Sequence, residues 1–305
     1  MKTIVECVPN FSEGEDREKI EPILQAILAG PDVHLLDTQM DGDHNRTVVT
    51  FVGSRESVGE AALRAIGRAA ELIDLNEHRG VHPRMGATDV VPFVPIKGVS
   101  LDDCVEIAQW AAQETWQRFR IPTYLYEEAA RDPRRKNLEY VRRGQFEQLR
   151  EEVRENPLRR PDFGEADLHP TAGATAVGAR NFLIAFNINL NTSDLSVAKS
   201  IARKIRASDG GLAAVKAIGV ELKALGVVQV SMNLTDFMTT SIGTVFAAVA
   251  AEARRAGVAI DSSEIVGLVP RRALENADVE HLKLRNFSPR LILENRLEES
   301  QGNVL

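Results

Sequence analysis

The stretch TVVTFVGSRESVGEAALRAIGRAAELI, residues 47–73, joins a strand pattern to a helix pattern. Its first part, from Thr47 to Val52, consists of β-branched and apolar residues, a composition typical of strands. From Glu56 to Ile73 the apolar residues recur on one helical stripe, which predicts an amphipathic helix, and Ser54 is a candidate for its cap. The stretch therefore predicts a strand followed by a helix that covers one face of a sheet.

The same alternation continues on both sides of this stretch. In the first half the pattern predicts strands at 4–8, 34–37, 47–52 and 89–96 and helices at 16–28, 56–73 and 102–119. In the second half it predicts strands at 181–190, 215–221, 227–233 and 259–269 and helices at 193–205, 241–255 and 271–282. Ser193 or Asp194 is expected to cap the helix that ends at Ile205.

Both halves follow the order βαββαβ, which is the order of the split-βαβ or ferredoxin-like motif. We therefore expect an α/β (α+β) chain of two ferredoxin-like subdomains, residues 1–179 and 180–305, whose antiparallel sheets face a ligand cleft. A length of 305 residues suits two lobes. The densely charged residues 127–165 are interpreted as a solvated helix pair and a loop near the boundary.

Composition excludes several classes of protein. A net charge of −7 disfavours nucleic-acid binding, which needs a basic face. No apolar run reaches the roughly 18 residues of a membrane span, and the N-terminal residues do not resemble a signal peptide, so a cytoplasmic protein is expected. Cys7 and Cys104 are too few for a disulfide framework and are interpreted as buried structural thiols.

The segment from His78 to Asp89 is the strongest candidate for chemistry. It carries two histidines, two arginines and an aspartate in a glycine- and proline-rich loop, and such loops often hold catalytic groups. His82 could transfer a proton near neutral pH, flanking arginines could grip a carboxylate, and Asp89 could orient the imidazole. A metal pair of His78 and His82 is disfavoured because glycine and proline interrupt any helix here.

Two further clusters leave alternatives open. Residues 41–47 are either a hairpin turn or a substrate contact through His44, Asn45 and Arg46, with equal weight. Residues 161–164 and 173–180 are rich in small residues, which either allow a backbone to approach a flat ligand or form a hinge. Neither contains a phosphate-binding or dinucleotide-binding glycine motif, so nucleotide binding is disfavoured.

Several of these motifs occur together in the order of a known family. They are Val5-Glu6-Cys7-Val8-Pro9-Asn10-Phe11-Ser12-Glu13-Gly14, Asn45-Arg46-Thr47-Val48, His82-Pro83-Arg84-Met85-Gly86-Ala87, Pro161-Asp162-Phe163-Gly164, the segment from Gly173 to Arg180, and Phe186-Asn187-Ile188-Asn189-Leu190. Over nearly its whole length the chain resembles glutamate formiminotransferase (glutamate formimidoyltransferase).

The resemblance implies an activity, substrates and a site. The family transfers a formimino group from N-formimino-L-glutamate to tetrahydrofolate, a step of histidine degradation and one-carbon metabolism, as a homodimer that binds folate between its sheets. His82 matches the catalytic acid–base. Tetrahydrofolate is the expected co-substrate, with no metal. The expected substrate- and folate-binding residues are Asn10, His44, Asn45, Arg46, Arg79, Arg84, Asp89, Asp162, Phe163, Gly164, Gly173, Ala174, Thr175, Gly178, Arg180, Asn187 and Asn189.

Two features distinguish this chain within that resemblance. The helical cyclodeaminase domain of the vertebrate bifunctional members is expected to be absent, so that a separate deaminase would process the product. Ala172 stands where the family pattern has tryptophan, and Asp43 and His44 replace small residues. A formyl donor, as in glutamate formyl transfer or 5-formyl-tetrahydrofolate consumption, and a non-catalytic folate-binding protein are the alternatives.

Overall fold

The chain folds into two compact α/β units, Met1–Arg180 and Asn181–Leu305. The computed structural model describes residues 3–42, 44–80, 82–222, 225–275, 277–285 and 287–302, with side chains to residue 300. Each unit has one sheet with helices against it. This architecture confirms the predicted α/β class. In the described ranges no helix has both the length and the apolarity of a membrane span.

The first unit contains a larger sheet than the pattern predicts. Its strands are β1 Ile4–Cys7, β2 Asn10–Phe11, β3 Val33–Asp41, β4 Arg46–Gly53, β5 Thr88–Lys97, β6 Thr123–Glu127 and β7 Thr175–Ala179. Its helices are α1 Arg17–Leu28, α2 Val58–Leu72, α3 Leu101–Phe119, α4 Leu138–Val141 and α5 Gln145–Glu155. Across the sheet β3 is followed by β4, then by β1 and β2, which both pair with β4 and β5, and then by β5, β7 and β6.

This first sheet is mixed rather than wholly antiparallel. Strand β7 pairs in parallel with β5 on one side and β6 on the other. A parallel neighbour requires a long crossover, and the chain between β6 and β7 supplies one that contains α4 and α5. The expectation of an antiparallel sheet was wrong here because neither β6 nor β7 was recognised as a strand.

Helices α1, α2 and α3 enclose the main core of the first unit on one face of the sheet. Gly59 lets α2 approach α3, because a Cβ atom there would lie 2.6 Å from the ring of Trp110. Helix α2 begins at Val58 with Ser57 at the cap position, and the hydroxyl of Ser54, the predicted cap, accepts from the Ser57 amide at 3.2 Å in the turn ahead of the helix. The Ser54 carbonyl accepts from the amides of Ser57 and Val58, which forms a turn ahead of the helix.

The second unit has the simpler architecture that its pattern predicts. Its strands are β8 Ile184–Leu190, β9 Val215–Leu222, β10 Val227–Leu234 and β11 Ile260–Val266, and its helices are α6 Leu195–Ile205, α7 Ile242–Arg255, α8 Arg271–Leu274 and α9 Leu293–Gly302. The antiparallel strands lie in the order β11, β8, β10, β9. Asp194 caps α6 by accepting from the Ser196 amide, as predicted.

The predicted helix at 271–282 is shorter than expected, since α8 ends at Leu274. The carboxylate of Asp278 accepts from the backbone amides of Glu280 and His281. Such a local turn competes with helical hydrogen bonds. In the described residues a short 3₁₀ helix follows at Pro289–Leu291, and the next α-helix, α9, begins at Leu293.

Candidate active site

Three segments that are distant in sequence meet at one end of the first sheet. The hydroxyl of Ser12 donates to the carbonyl of Gly86 at 2.7 Å, and the Ser12 amide donates to Ala87 at 2.9 Å. The amide of Gly14 donates to Oδ1 of Asn45 at 2.8 Å. The described residues of segments 12–16, 41–47 and 78–89 therefore form one structural cluster.

Asn45 connects the second segment to both of the others. Besides accepting from Gly14, its side-chain amide donates to the carbonyl of Arg79 at 2.7 Å. Its φ of 47° lies in the left-handed region, which asparagine tolerates better than most residues. Gly14 leaves room for this contact, because a Cβ there would lie 2.2 Å from the Asp41 carbonyl oxygen.

His78 and Arg84 hold the loop around His82 in place. Nε2 of His78 donates to the carbonyl of Asn45 at 3.0 Å, while Nδ1 accepts from Nε of Arg84 at 3.1 Å, so this ring carries its proton on Nε2. The guanidinium of buried Arg84 also binds both carboxylate oxygens of Glu147, at 2.8 and 2.7 Å. The hydrogen-bond donors of the Arg84 guanidinium are therefore occupied by partners within the protein.

Asp89 has partners other than the imidazole of His82. Its side chain is only 2% exposed, and its carboxylate accepts from the Met85 amide at 2.8 Å and from Nη2 of Arg142. Arg142 was missed at the sequence level because it lies in the charged stretch that was interpreted as a solvated face. The one signal for it was a pair of arginines directly before a glycine, at residues 142–144.

His82 lies against Arg46. Nη1 of Arg46 is 2.6 Å from Nε2 of His82, and the ring of His44 meets the ring of His82 edge-on with 6.3 Å between centroids. Burial, followed by the charges of Arg46, Arg142 and His44, lowers the pKa of His82 to about 2, although a hydrogen bond to the backbone of Pro83 opposes the shift. His82 is therefore a neutral imidazole in this arrangement.

Arg46 is itself in an unusual environment. Burial, with Arg142 nearby, lowers its pKa to about 10, against the opposing charges of Asp89 and Asp41. It remains a cation at neutral pH. His44, the third group here, is linked to Asp41 through Nδ1 at 2.7 Å. Asp43 and Val81 lie outside the described residues.

The segment after residue 171 packs directly behind this loop. The amide of Ala174 donates to Met85 at 2.9 Å, and the hydroxyl of Thr175 donates to the carbonyl of Thr88 at 2.8 Å. Gly86 is required by this close approach, because a Cβ there would lie 2.1 Å from the Ala174 carbonyl oxygen. Gly173, with φ of 68°, forms a bridge with Gly86.

Other residues predicted for the site have contacts elsewhere. Ala172 is buried in the main core. Asp162 accepts from the Leu125 amide and from Arg135, and the Phe163 ring lies 4.6 Å from the guanidinium of Arg131. Gly164 has φ of 134°, Gly178 lies in β7 against Tyr126, the Arg180 amide donates to Phe93 and the Asn10 side chain donates to Val8.

Asn187 and Asn189 lie in the second unit, on the face of its sheet opposite α6 and α7. They join a buried row of polar side chains in which Gln229 donates to Asn189 and to Glu264, each at 3.0 Å, and Asn187 donates to Glu264 at 3.0 Å. Gln229 and Glu264 were missed at the sequence level, although Gln229 lies between two valines of β10; Glu264 follows two serines in β11 and had no such signal. This row presents amide and carboxylate groups.

No group of three or more histidine, cysteine, aspartate or glutamate side chains is arranged to hold a metal ion within the residues that the structure describes. The groups around His82 are imidazole and guanidinium side chains, types that can transfer protons and bind anions. A partly buried histidine beside a cation, on a loop held by several segments, is typical of an acid–base site in an α/β enzyme.

Comparison with known proteins defines the family. Residues 4–180 match the model of the formiminotransferase domain, N-terminal subdomain, and residues 185–294 match that of the formiminotransferase domain. The chain belongs to the formiminotransferase family.

Its relatives include proteins of similar length and longer proteins. It is 46% identical to a glutamate formimidoyltransferase of Streptococcus pyogenes serotype M1, over 97% of this chain and 99% of the relative. It is 45% identical to a glutamate formimidoyltransferase of Thermoplasma acidophilum, over 98% of both chains. The formimidoyltransferase-cyclodeaminase of Rattus norvegicus is 45% identical over 91% of this chain, but only 52% of that protein is covered.

Proposed function

We propose that this protein is a glutamate formimidoyltransferase that moves the formimino group of N-formimino-L-glutamate to N5 of tetrahydrofolate. The observation that carries the proposal is the 46% identity, along nearly the full length of both chains, to a protein of that name. The histidine and arginine cluster at His82 supports it, because the reaction needs a proton carrier and a binding site for carboxylates.

The chemistry determines what the protein must supply. N5 of tetrahydrofolate attacks the formimino carbon and forms a tetrahedral intermediate that contains both amine nitrogens. The bond to the glutamate nitrogen then breaks, and that nitrogen must leave as a neutral amine. One proton therefore has to move from N5 to the glutamate nitrogen, with no net gain or loss.

His82 is the group that we assign to this proton transfer. A neutral imidazole accepts the N5 proton at Nε2 and then donates it to the leaving amine. Such acid–base catalysis typically contributes 10²–10⁴-fold, and the correct alignment of two bound reactants contributes much of the remaining acceleration. The low pKa of His82 in the substrate-free structure means that the ring is uncharged throughout the physiological pH range.

Arginines are the natural partners for the anionic substrates. Arg46, next to His82, is assigned to a carboxylate of the formimino donor, and the exposed Arg79 is a second candidate. Arg84 is assigned to positioning rather than to substrate, because Glu147 already occupies its guanidinium.

We assign folate recognition to two groups of residues. The buried row of Asn187, Asn189 and Gln229 carries amides, which suit the donors and acceptors at the edge of a pterin ring. The second group lies in the first unit and is assigned to further folate contacts: Asp162, Phe163, Gly164, Gly178 and Arg180. In this proposal the two functional subdomains are residues 1–179 and 180–305. The protein acts as a homodimer in the cytoplasm, and a separate cyclodeaminase processes the product.

The test is a turnover assay with N-formimino-L-glutamate and tetrahydrofolate that follows release of glutamate. The wild-type protein should release it, and His82→Ala should lose at least about a hundredfold in kcat while it keeps its affinity for tetrahydrofolate. Arg154→Met is the matched control, since Arg154 lies on the surface and pairs with Asp167.

The same assay separates the alternatives. Turnover of N-formyl-L-glutamate in preference to the formimino compound would replace the proposed donor. Tetrahydrofolate binding without turnover of either donor would indicate a non-catalytic folate-binding protein. Near-normal turnover by His82→Ala would remove His82 from the mechanism.

A further inference from the structure

Arg46 occupies the nitrogen of His82 that the proposed reaction needs. A guanidinium can only donate hydrogen bonds, so Nε2 of His82 is the acceptor of the 2.6 Å contact from Nη1 of Arg46. The other side of the ring is engaged with the backbone of Pro83. A lone pair that is already accepting from a cation is a poor receiver of a second proton, so His82 is blocked in this arrangement.

The charges around Arg46 are incompletely paired. Asp89 is bound by Arg142, and Asp41 is bound by His44, so both nearby carboxylates are engaged. Arg46 forms no salt bridge with any carboxylate in the described part of the chain, and its Nε atom is buried with no hydrogen-bond partner there. The Nε atom of Arg142 is in the same state.

This imbalance indicates what the cluster binds. Buried charges are normally paired, because an uncompensated buried ion is costly. The direct side-chain partner of Arg46 among the described residues is a neutral imidazole, which compensates less charge than a carboxylate in contact would, and Asp89 and Asp41 act on Arg46 only through space. A carboxylate would bind Arg46 better than His82 does, and the proposed donor carries carboxylates while its formimino group requires a free base.

We propose that Arg46 is a positioning residue that moves from His82 to a carboxylate of the donor when the donor binds, and thereby frees Nε2 of His82 for proton transfer. This inference rests on the proposed function for the identity of the carboxylate. Binding of the donor thus makes Nε2 of His82 able to accept a proton, whereas binding of tetrahydrofolate alone leaves His82 bound to Arg46.

The release has a measurable electrostatic consequence. The groups that face His82 from the neighbouring elements are Arg46 of β4, Arg142 after α4 and His44 of the loop between β3 and β4. When a carboxylate neutralises Arg46, the strongest of these charge effects disappears while burial remains. The proton affinity of His82 should therefore rise by at least about a hundredfold, which is two pH units.

The experiment follows the His82 ring by nuclear magnetic resonance in protein labelled at histidine, with His82→Gln used to assign the signal. The free protein should show no titration of His82 between pH 5 and 8. Saturating N-formimino-L-glutamate, without folate, should raise the midpoint by at least about two units, which a titration extended down to pH 4 detects as the onset of protonation of the His82 ring. Tetrahydrofolate alone, whose carboxylates are remote from N5, should leave the midpoint of the His82 titration unchanged.

Arg46→Met provides the matched variant, and Arg154→Met the control. Arg46→Met removes the hydrogen bond, so His82 should titrate at higher pH in the free variant and stop responding to the donor, while KM for the donor rises. Arg154→Met should behave as wild type. If Arg46→Met fails to fold, the ligand titration of the wild-type protein alone decides the question.

The outcomes separate this inference from the proposed function. A His82 that titrates near its ordinary pKa in the free protein, or that ignores saturating donor while turnover proceeds, overturns the Arg46 exchange and leaves the transferase proposal standing. If turnover is absent, glutarate serves as a plain dicarboxylate probe. A rise in His82 proton affinity with glutarate supports the exchange, and no response to either compound overturns it.

Discussion

Replacing Arg142 with methionine tests how the loop that carries His82 is held. Methionine has similar length and no charge, so Arg142→Met leaves the carboxylate of Asp89 with the Met85 amide as its remaining described partner. Asp89 is only 2% exposed and Arg142 is 15% exposed, so the pair is largely shielded from water. The change strands a buried negative charge.

The expected loss follows from that burial. Removing one partner of a buried ion pair typically costs about 3–5 kcal/mol, and the partial exposure of Arg142 favours the lower value, about 3 kcal/mol. For a folded unit of this size each kcal/mol lowers the melting temperature by about 2–4 °C. Arg142→Met should therefore melt about 6–12 °C lower than the wild type.

The assay is a double-mutant cycle read by thermal melting under circular dichroism. Asp89→Asn removes the stranded charge and keeps an acceptor for the Met85 amide. The double variant Arg142→Met with Asp89→Asn should therefore be more stable than the sum of the single losses predicts, by at least about 1 kcal/mol. Arg154→Met, which breaks an exposed pair, should hardly change the melting temperature.

Two results would refute this reasoning. One is a melting temperature for Arg142→Met as high as that of Arg154→Met, because a buried pair would then contribute no more than an exposed one. The other is simple additivity in the cycle, because the loss would then come from packing of the Arg142 side chain and not from its charge.

Three other predictions concern the first unit. Burial raises the pKa of Glu6 to about 7, against the charge of Arg180, so the folded state holds this proton more tightly and the free energy of unfolding falls as pH rises from about 4.5 to 7. Glu6→Gln should therefore be more stable than wild type by up to about 3 kcal/mol at pH 8 but not at pH 4. Equal differences in stability from melts at both pH values would contradict this. Asn45→Gly, which accepts a positive φ, should be more stable than Asn45→Ala, although both lose the same two hydrogen bonds; chemical denaturation would reveal a reversed order. Burial raises the pKa of the Cys7 thiol well above its usual range and that of the Cys104 thiol to about 12. Iodoacetamide at pH 8 should therefore label both slowly until the protein unfolds, and rapid native labelling would contradict their burial.

The regular elements of both units were predictable because their sequences repeat simple periods. The apolar run at 47–52 and the helical stripe at 56–73 correspond to β4 and α2 within a few residues. Strand β7 was not predictable by this route. Thr175–Ala179 contains only small residues and one valine, so it lacks the large apolar side chains that indicate a buried strand, and a Cβ at Gly178 would lie 2.6 Å from the ring of Tyr126 in β6.

The sequence predicted which residues belong to the candidate site better than it predicted which residues they contact. The composition of residues 78–89 identified a polar loop, and the resemblance to a family singled out His82. That Arg84 would bind Glu147, or that Asp89 would bind Arg142, depends on how α5 and the residue after α4 pack against the loop. No local pattern carries that information, since each pair joins residues more than fifty positions apart.

The position of β7 also constrains how the protein can be made. Strand β6 pairs with β7 in the described sheet, and β7 is synthesised about fifty residues after it. During translation, at about 5–20 residues per second, the edges of β5 and β6 therefore wait for several seconds without the strand that separates them. Unpaired edges of this kind favour aggregation. Heterologous expression should accordingly benefit from a chaperone that acts on the nascent chain before residue 179 has left the ribosome.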